Sequence, residues 1–288
     1  MFNPNFVDVM GKKTRYFEVG KGEPLVLIHG GHYGSYYSAD CWGLNMNGLA
    51  TNHRVIALDK LGMGYTDNPS QDRDYTMDAT IEHVYQFLLV MGIERATLVG
   101  HSRGALPAAY LAIQHPDLVT SIVIVDTNTL APGDSSIQSS FYTDMEKDTP
   151  PVPTRESVLL EPELNAYSRN HITPDFAEAL YQIAILPKTV EAKRNMTRTE
   201  SSIFYPQLSS RKSETFELIE GGRLNVPTLI VWGLNDPSAP FELGTSLFHI
   251  MASKNEQTQF HALNHAGHYS FRDQPDDFNR VVTTFLQA

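Results

Sequence analysis

Three short, uninterrupted apolar runs constrain the fold of this chain more than any other feature. They are Leu25-Val26-Leu27-Ile28, Ile122-Val123-Ile124-Val125 and Leu229-Ile230-Val231-Trp232. A strand with one wet face alternates apolar and polar residues, so continuous β-branched runs of this length predict strands buried on both faces. Strands are predicted at 14–19, 24–28, 54–59, 96–99, 121–125, 228–232 and 257–261. Helical patterns lie at 77–91, 104–115, 240–251 and 276–287. In the first of these, Ile81, Val84, Phe87, Leu88 and Met91 recur three or four apart and form one apolar stripe. Strands alternating with helices predict an α/β fold with a mostly parallel central sheet flanked by helices.

One stretch breaks the alternation. Residues 129–222 are polar and proline-rich (Pro132, Pro150, Pro151, Pro153, Pro162, Pro174), with helical patterns at 175–185 and 189–199. The strand pattern resumes at Val226. A structureless loop of this length inside a compact domain would be anomalous. The segment is therefore expected to be an inserted helical lid over the carboxyl edge of the sheet. That divides the chain into a core, 1–128 and 223–288, and a lid, 129–222.

Composition narrows the function. A net charge of -11 argues against a nucleic-acid surface. The single cysteine, Cys41, excludes an intrachain disulfide and suits a reducing compartment. Residues 1–13 lack a basic and an apolar signal region, and no run approaches 18 apolar residues, so a cytoplasmic protein without membrane insertion is expected. No His-Glu-x-x-His or cysteine ligand set occurs, so neither metal nor cofactor is expected. The expected partner is a small-molecule substrate, and the sequence is compatible with a homo-oligomer.

The most informative segment is Ala96-Thr97-Leu98-Val99-Gly100-His101-Ser102-Arg103-Gly104-Ala105. It sets Gly-x-Ser-x-Gly between a strand and a small-residue helix, which is what a nucleophilic serine on a sharp strand-to-helix turn needs. Gly100 and Gly104 leave room for neighbouring backbone, and Ala105, Ala108, Ala109 and Ala112 let the helix approach the sheet. Upstream, His29-Gly30-Gly31-His32 follows a strand. Backbone N–H groups of Gly31 and Arg103 are the expected oxyanion donors; a plain turn is the bland alternative.

A serine hydroxyl needs a base. The loop Asn264-His265-Ala266-Gly267-His268-Tyr269 follows the last strand, and His268 is favoured over His265. The acid that orients the imidazole is expected to be Asp236, in Trp232-Gly233-Leu234-Asn235-Asp236, with Asp126 as its rival. His32 and His101 flank the site, either touching substrate or holding the structure. Phe141, Tyr142, Tyr167, Tyr181, Ile183, Ile185, Leu186 and Phe204 are candidates either to line an apolar pocket or to tie the lid to the core.

With these residues in hand, the chain resembles the α/β-hydrolase superfamily. Within it the sequence is most similar to the meta-cleavage-product hydrolases and to hydrolases of monoalkyl phthalates such as mono-2-ethylhexyl phthalate. The matching pieces are His29-Gly30-Gly31, Asp59-Lys60-Leu61-Gly62-Met63-Gly64-Tyr65-Thr66-Asp67, the elbow, Trp232-Gly233-Leu234-Asn235-Asp236, Gly267-His268-Tyr269 and Asp277-Phe278-Asn279-Arg280.

Three departures separate the chain from the carbon–carbon hydrolases. Those carry Gly-Asn-Ser-Met-Gly-Gly, where this chain has Gly100-His101-Ser102-Arg103-Gly104-Ala105. Their lid arginine aligns with Ala184, and their tryptophan after the histidine is Tyr269. The resemblance implies a serine esterase acting on a small aromatic monoester such as a monoalkyl phthalate. Tyr269 would lie at the substrate, and Arg103 or Lys188 would meet the substrate's carboxylate. Carbon–carbon hydrolysis of a 2-hydroxy-6-oxo-dienoate is the alternative, and a non-catalytic receptor a remote one.

Overall fold

The apolar runs assemble into one mixed sheet. The computed structural model describes residues 2–133, 140–148, 150 and 152–287, so residues 134–139, 149 and 151 of the expected lid lie outside it. Eight strands form among the described residues: β1 (Asn5–Val9), β2 (Lys12–Val19), β3 (Glu23–Ile28), β4 (His53–Leu58), β5 (Ala96–His101), β6 (Val119–Val125), β7 (Thr228–Gly233) and β8 (Thr258–Leu263). Their order is β1-β2-β4-β3-β5-β6-β7-β8. The β1–β2 and β2–β4 pairs are antiparallel, and every pair from β4 onward is parallel.

Successive side chains of these strands enter opposite cores. Val26, Ile28, Leu98, Ile122, Ile124 and Ile230 join one cluster, while Leu25, Leu27, Val99, Val123, Val125 and Leu229 join the other. The helices α1 (Met46–Leu49), α2 (Met77–Val90), α3 (Ala105–Gln114), α9 (Phe241–Ala252), α10 (Ser270–Asp273) and α11 (Pro275–Leu286) cover the two faces. Burying each such aliphatic side chain contributes about 1.5–3 kcal/mol, which is why polar residues are absent from the runs.

Between β6 and β7 the chain leaves the sheet and builds α4 (Phe141–Asp148), α5 (Leu160–Leu164), α6 (Pro174–Ala184), α7 (Pro187–Thr199) and α8 (Tyr205–Glu220), with a π-helical turn at Glu200–Phe204 joining the last two. Thr173 caps α6 by accepting the Phe176 N–H at 3.3 Å, and Pro174 occupies its first turn. Among the described residues no helix is long and apolar enough to cross a membrane.

Candidate active site

The chain changes direction in the sheet between β3 and β5, and at such a switch the loops beyond the strands' carboxyl ends diverge and leave a crevice. The ends of β3, β5, β7 and β8 carry His29–Gly31, Ser102, Asp236 and His268 respectively. At the end of β5, Ser102 adopts φ +51°, a left-handed conformation that costs a non-glycine residue about 1–2 kcal/mol. Its surroundings enforce it. A Cβ at Gly100 would collide with the Gly104 carbonyl and Ala105, and one at Gly104 with the Ile28 carbonyl. Thr127 donates its hydroxyl to the Ser102 carbonyl at 2.8 Å, and the Leu130 N–H donates to Thr127 Oγ1 at 3.0 Å.

Three side chains distant in sequence then meet. Ser102 Oγ lies 3.1 Å from His268 Nε2, and His268 Nδ1 lies 2.7 Å from Asp236 Oδ2. The other Asp236 oxygen accepts N–H groups of Ser238 (2.9 Å) and Ala239 (2.7 Å), so the turn that holds the carboxylate leaves one oxygen for the imidazole. Burial pulls the His268 pKa down, but Asp236 overrides it and pushes it up to about 10. Asp126 faces elsewhere. Its Oδ1 accepts the Gly233 N–H at 2.7 Å, while Oδ2 takes the N–H and hydroxyl of Ser270. Burial, reinforced by Asp236, raises its pKa well above the usual range. His265 is exposed, with its ring 5.0 Å from Tyr167.

The glycine segment after β3 faces the elbow. Gly31 has φ +75°, and a Cβ on Gly30 would come within 2.9 Å of Ser102 Cβ. Arg103 is the second residue of the helical turn Ser102–Gly104, where an N–H has no partner within the helix. Both expected donors therefore lie on backbone beside the hydroxyl.

These groups open into a cavity of about 790 Å³ under the insertion. His32, His101, Tyr142 and Tyr269 line it. His32 is turned to the Tyr33 carbonyl (3.0 Å), with its pKa pushed down to about 3 by burial and then by Arg103. His101 donates to the His268 carbonyl at 2.9 Å, and burial keeps it neutral. Tyr269 donates to Glu161 at 2.7 Å.

Ile185 and Leu186 are corrected by the structure, because neither reaches the cavity. Ile185 ends α6 pointing outward, and Leu186 precedes α7. Lys188 is corrected too: it donates to the Gly64 carbonyl at 3.0 Å, away from the cavity wall. Arg103 does line it. Its guanidinium stacks over Phe204 and Tyr205, and Nη1 is buried without a hydrogen-bond partner. Ala184 also forms part of the wall.

The family model described as the alpha/beta hydrolase fold matches residues 23–275. The chain is an α/β-hydrolase. This hydrolase is 27% identical to the 2-hydroxy-6-oxo-6-(2'-aminophenyl)hexa-2,4-dienoic acid hydrolase of Metapseudomonas resinovorans, over 98% of this chain and 90% of that one. It is 28% identical to a 2-hydroxymuconate semialdehyde hydrolase of Pseudomonas sp. strain CF600, over 96% and 91%. Among solved structures it resembles a serine hydrolase involved in carbazole degradation (TM-score 0.77, 26% identity, 100% and 99% covered). It also resembles a meta-cleavage product hydrolase from Pseudomonas fluorescens IP01 (TM-score 0.79, 25% identity, 98% and 97% covered). The hydrolase is a serine hydrolase related to enzymes of this kind.

Sequence reasoning missed several residues around the site of this hydrolase. Thr127 carried one signal, its place directly after a buried strand. Glu161 had none, since nothing in a polar, proline-rich stretch marks one acid as buried. Its Oε1 accepts the Asn165 amide at 2.8 Å and its Oε2 the Tyr269 hydroxyl, and burial raises its pKa. The Asn165 carbonyl in turn accepts the His268 N–H at 2.8 Å.

Proposed function

We propose that this hydrolase cleaves a small aromatic monoester bearing a free carboxylate, such as a monoalkyl phthalate, through an acyl-enzyme. Ser102 Oγ attacks the ester carbonyl as His268 Nε2 takes its proton, and Asp236 holds the imidazole and stabilises the cation it becomes. N–H groups of Gly31 and Arg103 receive the oxyanion. The imidazolium returns the proton to the departing alkoxy oxygen, giving the alcohol. His268 then deprotonates water, whose attack on the acyl-enzyme releases the acid and restores Ser102. The insertion, read as a lid over 129–222, closes the cavity, and a cytoplasmic setting suits the one buried thiol.

The observation that carries this reading is the Arg103 guanidinium. It sits on the cavity wall one residue from the nucleophile, with a buried nitrogen unpartnered and no ion pair among the described residues. A buried donor without an acceptor is costly, and a substrate carboxylate would satisfy it with charge-assisted hydrogen bonds. At Ala184, where the resemblance to the carbon–carbon hydrolases implies a lid arginine, the wall offers a methyl group.

The relatives favour a second reading, hydrolysis of a carbon–carbon bond in a 2-hydroxy-6-oxo-dienoate. By similarity alone it is the better backed, since the named relatives above are dienoate and semialdehyde hydrolases. A substrate panel separates the two. Wild type and Ser102→Ala are assayed on a phthalate monoester, its diester, a simple acetate ester and a coloured ring-fission dienoate. Preference for the monoester, abolished in S102A, is expected. Bleaching of the dienoate with negligible monoester turnover would transfer the function to the second reading, and indifference among the three esters would remove carboxylate recognition.

A further inference from the structure

The oxyanion segment is held from behind by a buried lysine that the mechanism above does not use. Lys60 follows β4 and is 2% exposed. Its acidic neighbour Asp59 is already committed to Arg15, with Nε–Oδ2 2.6 Å, and to the N–H groups of Ala39 and Tyr65. Lys60 itself forms no ion pair among the described residues. A buried ammonium without a counter-ion is expensive, and burial, with Arg103 adding to it, pushes the Lys60 pKa down to about 7, but charged or neutral the amine still donates a hydrogen bond. Its one side-chain hydrogen bond among the described residues runs from Nζ to the Gly31 carbonyl, at 3.0 Å.

The Lys60 backbone acts on the same segment. Its N–H donates to His29 Nε2 at 3.1 Å, which makes that nitrogen an acceptor and leaves the proton on Nδ1. His29 Nδ1–H then donates to the Gly30 carbonyl at 2.8 Å, and the fully buried ring stays neutral. In a trans peptide the carbonyl and the following N–H point in opposite directions. Tying back the Gly30 carbonyl therefore turns the Gly31 N–H the other way, and tying back the Gly31 carbonyl fixes the next peptide of the same turn. Gly31 sits at φ +75°, where a glycine has most freedom to drift.

We propose that Lys60 is a positioning residue for the oxyanion hole: its side-chain amine clamps the Gly31 carbonyl and so fixes the Gly31–His32 peptide, which, with the Gly30–Gly31 peptide tied back by His29, holds Gly31 at its φ of +75° and its N–H in place for the transition state. The inference rests on the proposed role of Gly31 and adds the residue that holds it. Lys60 does not line the cavity, so it acts through the Gly31–His32 peptide and not by touching substrate.

The test uses Lys60→Met and Lys60→Gln in the full chain, with three readouts. These are the rate at which a fluorophosphonate labels Ser102 with loss of fluoride, kcat and KM on an acetate ester, and benzoate affinity by calorimetry. K60M is expected to slow labelling and kcat about ten- to a hundredfold, with KM and benzoate affinity within about twofold. K60Q keeps a neutral donor and should recover part of the loss. Labelling of Ser102 in K60M at the wild-type rate overturns the Lys60 role alone. So does a parallel loss of labelling and benzoate binding with no recovery in K60Q. Labelling at a residue other than Ser102 overturns both this role and the proposed nucleophile. Should K60M fail to fold, K60Q carries the test: at least about a threefold loss of labelling with benzoate binding intact is expected, and the full rate overturns the role.

Discussion

Asp236→Asn is the sharpest perturbation available, because it keeps the side-chain shape while removing the charge that His268 feels and turning one of the two acceptor oxygens into a donor. Burial alone would lower the imidazole's pKa. Asp236, with Tyr142 and Asp126 adding in the same direction, instead pushes it from 6.5 up to about 10. That difference corresponds to roughly 5 kcal/mol favouring the imidazolium. His268 must be neutral to act as a base, so kcat/KM of the wild type should rise with pH through a limb above 6.5. In D236N burial is less opposed, so the limb should move to lower pH. The rate should fall about 10⁴-fold, because the tautomer is no longer fixed.

The same shift has a stability consequence of known sign. A histidine whose folded pKa is raised adds stability that is fully present below 6.5 and is lost as pH rises through about 10. The gap in Tm between wild type and D236N should therefore shrink from acidic to alkaline pH. The assay is kcat/KM on an acetate ester from about pH 5 to about pH 10. A variant within tenfold of wild type, with an unmoved limb, would refute the reasoning. A comparable collapse in Asp126→Asn, with D236N mild, would pass the role to Asp126.

Two further outcomes follow from single residues. Ser102→Gly should lose turnover while gaining about 1 kcal/mol of stability by chemical denaturation, because glycine relieves φ +51°; an unchanged or lowered stability would mean that the elbow is not strained. Arg103→Met should weaken phthalate or benzoate binding by about ten- to a hundredfold in calorimetry, the worth of one charge-assisted hydrogen-bonding group; unchanged affinity would mean that Arg103 does not hold the carboxylate.

The core was legible because its physics is local. Continuous apolar runs can be stable only as doubly buried strands, and all seven predicted strands form. The eighth, β1 (Asn5–Val9), was missed because it is a largely exposed edge strand with no continuous run. Its one signal is the turn to β2, where Met10 and Gly11 both take positive φ. The insertion was less legible. Its helices at Pro174–Ala184 and Pro187–Thr199 followed their patterns, but Tyr205–Glu220 was missed, since it buries only Thr215 and Ile219 and leaves little stripe to read. Periodicity shows which side of a helix is apolar and not what that side meets. Ile185 was thus expected at the pocket when it ends α6 on the outside, while Val158, Leu208 and Tyr205 line the cavity instead.

What separates the two candidate chemistries is where the cation is mounted. The hydrogen-bonded chain from Ser102 to Asp236 lies on core strand ends and serves either reaction, so it cannot discriminate between them. Lys193 and Lys212 reach the cavity from inserted helices, whereas the backbone of Arg103 belongs to the core, next to Ser102. A carboxylate held by Arg103 would lie close to Ser102, with the insertion's Phe204 and Tyr205 packed against the same guanidinium, which suits a rigid acyl group carrying its own carboxylate. The insertion still touches the chemistry, because the Asn165 carbonyl grips the His268 N–H and Asp273 binds the N–H groups of Tyr167 and Gly267. Changes around Asn165 should therefore disturb the base, and changes around Arg103 the choice of substrate.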